Sequence, residues 1–424
     1  MQKVSALQAC VTDADVGALC HTGSMLILHT SDWHLGRTLH GASLGDSADA
    51  FIEWLVALVR ERGVDAVLIS GDVFDRAVPP VDALARMRRA LRELTEITTV
   101  ILTSGNHDGA ARLGLFADML TPSLHVVTDP EAIGTPVAAG GALVYPMPYL
   151  EPDLVRQSLS DLPPQGDAGL PAPLPRSHQA VLAAQRRVRA DLEARRDAGD
   201  ERPAIAMPHA FVTGAQASDS ERDIQVGGVP SVSADLFDTL GGTDPLAHGL
   251  DYVAAGHLHR PQNVSGASVP IRYAGSPIAY SFSEAGATKS ITLVTTDATS
   301  VTDIEVVPIP TLRGIAVLEG TMEELLTDPD EAATASYVSI TVTDDARPER
   351  MVPRIREVYP HALVVVHRPS QAPTLAPAMT VRASRDPREV TEEFYEAVSG
   401  RALSAREREL ALDVWAGLRG KDMQ

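Results

Sequence analysis

From Met25 to about Val127, short runs of β-branched and aliphatic residues alternate with amphipathic segments, the pattern of β-α-β units feeding a largely buried sheet. Residues 26–30, 66–70 and 99–103 read as strands. Between the first two, Ile52, Leu55, Val56 and Val59 recur at helical spacing, and between the second two Leu84, Met87, Leu91 and Leu94 do the same. Both helices are expected to cover the sheet. Residues 150–176, rich in Pro, Gly and Asp, predict a surface connection, and 177–196, loaded with Arg, Ala, Gln and Glu, predict one exposed helix.

Further strands are predicted at 204–207, 252–255, 271–274 and 290–295, and the first unit, beginning at residue 25, ends near 308. A smaller unit at 309–368 then spells β-α-β-α-β through 313–319, 322–326, 337–342, 348–358 and 362–367. A Pro- and Ala-rich linker at 369–387 leads to two closing helices, 388–398 and 404–418, within a last segment, 388–424. Their apolar residues Phe394, Leu410, Val414, Trp415 and Leu418 are expected to pack on the chain's own core, with a partner helix as the alternative. No internal repeat is visible.

A chain of 424 residues exceeds one compact domain, so two or three are expected. The formal charge of -20 argues against holding nucleic acid by general electrostatics, since phosphate binding wants clustered Lys and Arg. Metals and a basic partner can supply that charge instead. Both cysteines, Cys10 and Cys20, precede Met25, so the body has neither disulfide nor thiolate, which favours a reducing compartment. Cys10, Cys20 and His21 are three candidate zinc ligands without a fourth, and residues 1–24 read as a disordered extension upstream of a start at Met25. No run approaches the roughly 18 apolar residues of a membrane span, and no secretory h-region opens the chain, so a cytoplasmic location is expected.

Five short motifs each follow directly on a predicted strand: Ser-Asp-Trp-His at 31–34, Gly-Asp-Val-Phe-Asp at 71–75, Gly-Asn-His-Asp at 105–108, His209, and Gly-His-Leu-His at 256–259. Loops at the carboxyl ends of strands converge in α/β folds, so all five can meet. Carboxylate, imidazole and amide oxygen are ligands that suit manganese, iron or zinc. Any single Gly-Asp or Gly-His is more often a turn or cap, and a lone buried His is usually a hydrogen-bonded core residue. The ordered set outweighs those readings. For Asp75 a loop or capping role stands level with a functional one, while His29, His40, His125, His178, His248, His361 and His367 read as structural. Arg37, His40 and Arg260 flank the motifs as candidate DNA contacts, although an exposed Arg is more often simply solvated.

The order Asp-x-His, Gly-Asp, Gly-Asn-His-Asp, His, Gly-His-x-His resembles that of the calcineurin-like metallophosphoesterases. The resemblance implies an α/β fold: a β-sandwich with flanking helices, plus a small α+β capping domain and C-terminal helices. It makes Asp32, His34 and His259 ligands of one metal, Asn106, His209 and His257 ligands of the other, and Asp72 the bridge. His107 stays off the metals. Two cations roughly 3.5–4 Å apart can clamp a phosphoryl group, generate a nucleophile from water and neutralise charge in an in-line displacement. His107 is then placed to protonate the leaving oxygen or stabilise the transition state, with Asp108 orienting its ring.

That core is shared by phosphatases, nucleotidases and nucleases, so other text must choose among them. Residues 28–37, 220–228 (Ser-Glu-Arg-Asp-Ile-Gln-Val-Gly-Gly), 256–262 and 273–284 (Tyr-Ala-Gly-Ser-Pro-Ile-Ala-Tyr-Ser-Phe-Ser-Glu) resemble the SbcD family, nuclease subunits of bacterial SbcCD complexes. The resemblance runs from Met25 through the closing region. It implies a manganese-dependent exonuclease on double-stranded DNA ends and an endonuclease that opens hairpins. It further implies a homodimer within a heterotetramer with an SMC-like ATPase, SbcC, serving DNA repair, recombination and replication at the nucleoid. Two rivals are weighed. A phosphoprotein phosphatase is suggested by Asp75 and Arg76, but 220–228 and 273–284 have no role there. A DNA-end-binding scaffold with structural metals would need neither two metals nor a free imidazole.

Overall fold

The computed structural model describes residues 24–139, 141–151, 155–160, 162–163, 171–174, 179–221, 232–369 and 387–421. Two six-stranded sheets lie face to face. The first carries, in spatial order, Val301–Pro308, Ser290–Thr296, Met25–Thr30, Ala66–Ser70, Thr99–Thr103 and Leu124–Val127. Its last four strands are parallel, and the first two are added antiparallel. The second runs Gln262–Val264, Ile271–Tyr273, Tyr252–Ala255, Ala204–Pro208, Ala142–Met147 and Val137–Ala139, parallel in the middle and antiparallel at both edges.

Alternation along each strand explains the layers. In Ala66–Ser70, Ala66 and Leu68 pack between the sheets with Ile205, Met207 and Ala254, while Val67 and Ile69 face the other way, toward Phe51, Leu55, Met87 and Leu94. Those last four belong to the helices Gly45–Arg62 and Val81–Thr95, which the apolar spacing predicts. Burial on both faces is why these strands read as continuous apolar runs.

The helix Gln179–Asp197 corrects an expectation, for it covers the outer face of the second sheet instead of standing in solvent. Ala184, Val188 and Leu192, four residues apart, are wholly buried beside Leu143, Tyr145 and Ala206. One such stripe suffices, each Val or Leu contributing roughly 1.5–3 kcal/mol. The arginines that disguised it turn outward, where Arg189 donates to the carbonyls of Thr239 and Asp244 at 2.7 Å and Arg195 meets Asp191 at 2.6 Å.

Five strands of the two six-stranded sheets escaped the sequence reading: Leu124–Val127, Val137–Ala139, Ala142–Met147, Gln262–Val264 and Val301–Pro308. Pro146 hid the third, since proline removes a ladder donor. It is tolerated because Val137–Ala139 pairs only with 142–144, leaving that side of Pro146 without a neighbouring strand.

Beyond residue 308, Ile315–Gly320, Tyr337–Val342 and Ala362–His367 form a parallel sheet with a core of its own, including Val338, Ile340, Met351 and Ile355. This unit meets the sandwich where Ile315, Tyr337 and Leu363 pack on Leu39, Leu44 and Tyr280. The closing helices Pro387–Ser399 and Ala405–Lys421 are clipped to each other by Tyr395–Glu407 at 3.0 Å and Arg408–Glu392 at 2.9 Å. Their expected packing on the chain's own core is not observed, because Phe394, Val398, Leu410 and Val414 are 69%, 56%, 65% and 57% exposed. The side chains of Trp415 and Leu418, residues 1–23, most of the linker and 222–228 lie outside the described residues. Among the described residues no helix is long and apolar enough to cross a membrane.

Candidate metal centre

The five motifs do converge, and the glycines beside the ligands show why. Strand ends of both sheets meet here so closely that a Cβ on Gly256 would collide with the Ser70 carbonyl, on Gly105 with Asp72, and on Gly71 with His209. The chain then turns sharply out of each strand. Asp32, His34, Asp72 and His257 have φ of 55°, 40°, 49° and 111°, left-handed conformations that cost about 1–3 kcal/mol each for a residue with a side chain. Backbone bonds cross-brace the turns, Asp32 N–H donating to the Gly71 carbonyl at 3.1 Å and His34 N–H to that of Asp72 at 3.0 Å.

Two wholly buried groups of ligand atoms result, Asp32–His34–His259 and Asp72–His209–His257, and a third, His34–Asp72–His107, brings the half-buried His107 within ligand distance of the same centre. His34 Nε2 lies 2.9 Å from His259 Nε2, and Asp72 Oδ2 stands 3.6 Å from His34 Nε2 and 3.5 Å from His209 Nε2, between the groups. Asn106 Oδ1 completes the second side, 3.0 Å from His209 Nε2 and 3.2 Å from His257 Nδ1. Atoms bound at about 2.0–2.2 Å to a common ion lie roughly 3–4 Å from one another, so the donor set fits two metals sharing Asp72.

Protonation suits the same role at three of the four histidines. Burial drives His257 down to about 3 and holds His34 and His259 well below the ordinary imidazole range, leaving neutral lone-pair donors. Burial also works against charge on His209, but the carboxylates of Asp72 and Asp32 outweigh it and raise the ring to about 9. Asp32 is pushed up to about 7 by burial. In Asp72 burial is overcome by His209 and His34, which hold its carboxyl well below the usual range. His209 Nδ1–H donates to the Ser70 carbonyl at 2.9 Å, which turns Nε2 toward the centre.

The text at 220–221 and 273–284 proves to be scaffolding for His259. Ser220 Oγ sits 2.6 Å from His259 Nδ1, and Glu221 accepts the His259 backbone N–H at 2.7 Å. Glu284 accepts from Ser220 Oγ at 2.8 Å and closes a capping box with Ser281. Tyr280 donates to the Trp33 carbonyl at 2.6 Å and sets its ring edge-on to both His34 and His259. Chemistry-bearing motifs alone gave no sign of these residues. The signal was their unusual wording, which phosphoester chemistry did not require.

His107 and Asn106 are the members of the set that solvent reaches. The His107 ring stands edge-on to His34 at 4.7 Å, and its backbone N–H donates to Asp72 at 2.8 Å. The ring is oriented by the Asp75 carbonyl, 2.8 Å from Nδ1, and not by Asp108 as expected. Asp108 is committed elsewhere, accepting backbone N–H from Val73, Phe74 and Gly105 at 3.1, 2.9 and 2.9 Å. It ties two ligand loops together.

Of the candidate DNA contacts, Arg37 is turned inward, donating to the Ser220 carbonyl at 2.6 Å and lying 4.9 Å over the Tyr280 ring. His40 is exposed and stacks on Phe282, and Arg260 is half-buried. His29 is a core residue, its Nδ1 3.0 Å from the Tyr252 hydroxyl.

Comparison with known proteins agrees with this geometry. Residues 25–261 match the family model of calcineurin-like phosphoesterases, and 311–399 match that of the type 5 capsule protein repressor C-terminal domain, SbcD_C. The chain is 37% identical over 282 residues to the SbcD subunit of the SbcCD nuclease of Bacillus subtilis (strain 168), covering 64% of this chain and 66% of that relative, just under two thirds of its length. Among solved structures, TT1561 of Thermus thermophilus is 16% identical with a TM-score of 0.35, over 68% of this chain and all of that one. A dimetal phosphatase from Danio rerio is 11% identical with a TM-score of 0.35, over 68% and 99% of the two chains. More than half of the chain matches one family model, and the candidate ligands of its motif order gather at one centre: the chain belongs to the calcineurin-like phosphoesterase family.

Proposed function

We propose that this protein is a metal-dependent DNA nuclease, the phosphodiester-cleaving subunit of an SbcCD-type complex. The observation that carries the chemistry is Asp72, placed between two buried ligand groups with half-buried His107 beside it. Asp32, His34 and His259 would hold one divalent ion and Asn106, His209 and His257 the other, with Asp72 shared. Manganese suits the N/O donor set, which has no thiolate. Ions held there would supply an activated water and offset charge on the phosphoryl group, and His107 would donate a proton to the leaving oxygen or steady the charge that develops there.

DNA as substrate is supported by the relative named a nuclease subunit and by the 220–221 and 273–284 segments around His259. The proposed activities are exonuclease on duplex ends and endonuclease on hairpins. An SbcC-like ATPase is the proposed partner and the cytoplasm, at the nucleoid, the proposed location. The closing helices offer that partner an apolar face, Phe394, Val398, Leu410 and Val414. Another patch supports a homodimer. Val78, Val81, Leu84, Leu115, Phe116 and Met119 are 45–82% exposed, and Leu84 lines an apolar groove with Phe74, Met87 and Leu113.

The test is to supply manganese to the purified protein, with and without an SbcC-like ATPase, and compare linear duplex DNA, a DNA hairpin and a phosphopeptide. Cleavage of both DNAs is expected. Phosphopeptide turnover without DNA cleavage refutes the nuclease, and DNA binding without turnover points to a scaffold.

A further inference from the structure

Behind the ligands, the described residues contain a buried ion pair that metal binding itself does not use. Lys289 and Glu284 are 4% and 1% exposed and in direct contact. Burying both charges is costly unless their remaining hydrogen-bonding capacity is filled, and it is filled in a particular way. Lys289 Nζ donates to the His259 carbonyl at 2.8 Å and to Ser276 Oγ at 2.9 Å. Glu284 Oε1 accepts from the backbone N–H of Tyr280 and Ser281, both at 3.0 Å, and from Ser220 Oγ at 2.8 Å.

The Ser220 hydroxyl has a single proton, and a carboxylate paired with an ammonium is acceptor-only. Its other neighbour, Ser218 Oγ at 2.8 Å, can also take that proton, since Ser218 donates its own to Glu221 at 2.8 Å. With that proton on Glu284, which can only accept, Ser220 has none left for His259, 2.6 Å away, and accepts instead. His259 Nδ1 therefore carries the hydrogen, and Nε2 keeps its lone pair toward His34 and the centre.

We infer that Ser220, Glu284 and Lys289 are positioning residues that lock His259 in its Nδ1–H form and so set the metal affinity of the Asp32–His34–His259 side selectively. The ion pair holds the ligand twice, its ammonium on the backbone carbonyl and its carboxylate, through Ser220, on the ring. Neighbouring ligands lack the device. His209 donates to a neutral carbonyl, and the buried Nδ1 of His34 has no hydrogen-bond partner among the described residues. The inference rests on the two-metal reading above.

The test uses the full chain labelled with 15N-histidine. Proton–nitrogen correlation spectra of the metal-free protein report each tautomer, with His259 assigned through His259→Gln, and titration with Mn2+ alone reports the two affinities. Wild type is expected to show Nδ1–H at His259 and to take up two ions. Ser220→Ala shifts His259 toward Nε2–H and weakens one of the two sites about ten- to a hundredfold, leaving the other unchanged. Ser220→Thr, which keeps the hydroxyl, restores both readouts. Glu284→Gln moves them in the same direction, and if it fails to fold, the Ser220 pair decides. An unchanged tautomer and unchanged affinities in Ser220→Ala overturn the inference, as does equal weakening of both sites with a lowered melting temperature, the mark of a merely structural role. If wild type takes up no Mn2+, the two-metal reading falls first and this one with it.

Discussion

His34 and His259 approach nitrogen to nitrogen, Nε2 to Nε2 at 2.9 Å, in a space that solvent does not reach. Without an ion, one Nε2–H can donate to the other ring; an ion between them would need both lone pairs, and the rings would then not attract each other. What keeps them there is backbone turned into left-handed φ at His34 and, at His259, backbone bonds to Glu221 and Lys289.

Removing the shared ligand and removing the solvent-side imidazole should have separable effects. Asp72→Ala is expected to lose both metals, measured as bound metal per chain. His107→Ala should keep both and lose about 10²- to 10⁴-fold in turnover. Equal metal loss in the two variants would show that His107 is itself a ligand.

Metal uptake should release protons in a defined window. His209, raised to about 9, is charged at neutral pH, and Asp32, pushed up to about 7, is partly protonated. His34, His257 and His259 are already neutral and release none. About two protons should leave at pH 6 and nearly none by about pH 10, so apparent affinity strengthens as pH rises across that span. For the metal-free fold the sign is opposite: the stability His209 contributes is present below its ordinary value of 6.5 and lost as pH climbs through about 9. Proton release in weakly buffered titrations checks the first statement, and melting temperature against pH the second.

The contact between strand ends makes two glycine substitutions a matched pair. In Gly63→Ala the new Cβ meets open space, and only the left-handed φ of 63° is opposed, at about 1–2 kcal/mol. In Gly256→Ala the Cβ collides with the Ser70 carbonyl, and an overpacking cost of about 3 kcal/mol or more is expected, together with weakened metal binding. Denaturant midpoints and metal titration of both variants decide it.

If the exposed patch joins two copies, Phe116→Asp with Met119→Asp should turn a dimer into a monomer in light scattering while metal uptake stays intact. Unchanged mass would place the dimer contact elsewhere. In the same manner Phe394→Glu with Leu410→Glu should weaken association with the ATPase at least tenfold, read by co-elution, without altering uptake of Mn2+.

The ligands were legible in the sequence because each follows an apolar run, and the ends of parallel strands must gather. Strands 66–70, 99–103 and 252–255 were legible to the residue. What sequence reading missed has physical reasons. Pro146 concealed a strand whose far side has no neighbour, and arginines masked the three-residue stripe of Ala184, Val188 and Leu192. Asp108 looked like the partner of His107 because it is adjacent in sequence. The fold gave that work to a backbone carbonyl, at Asp75, which no side-chain pattern can announce.

The ligands are drawn from both sheets, Asp32, His34, Asp72 and Asn106 from one, His209, His257 and His259 from the other. The centre is thus a clasp across a seam. A slip of one sheet along the other by an ångström would open both halves of the clasp at once. A partner gripping one edge of the sandwich would therefore disarm or arm the centre without approaching a single ligand.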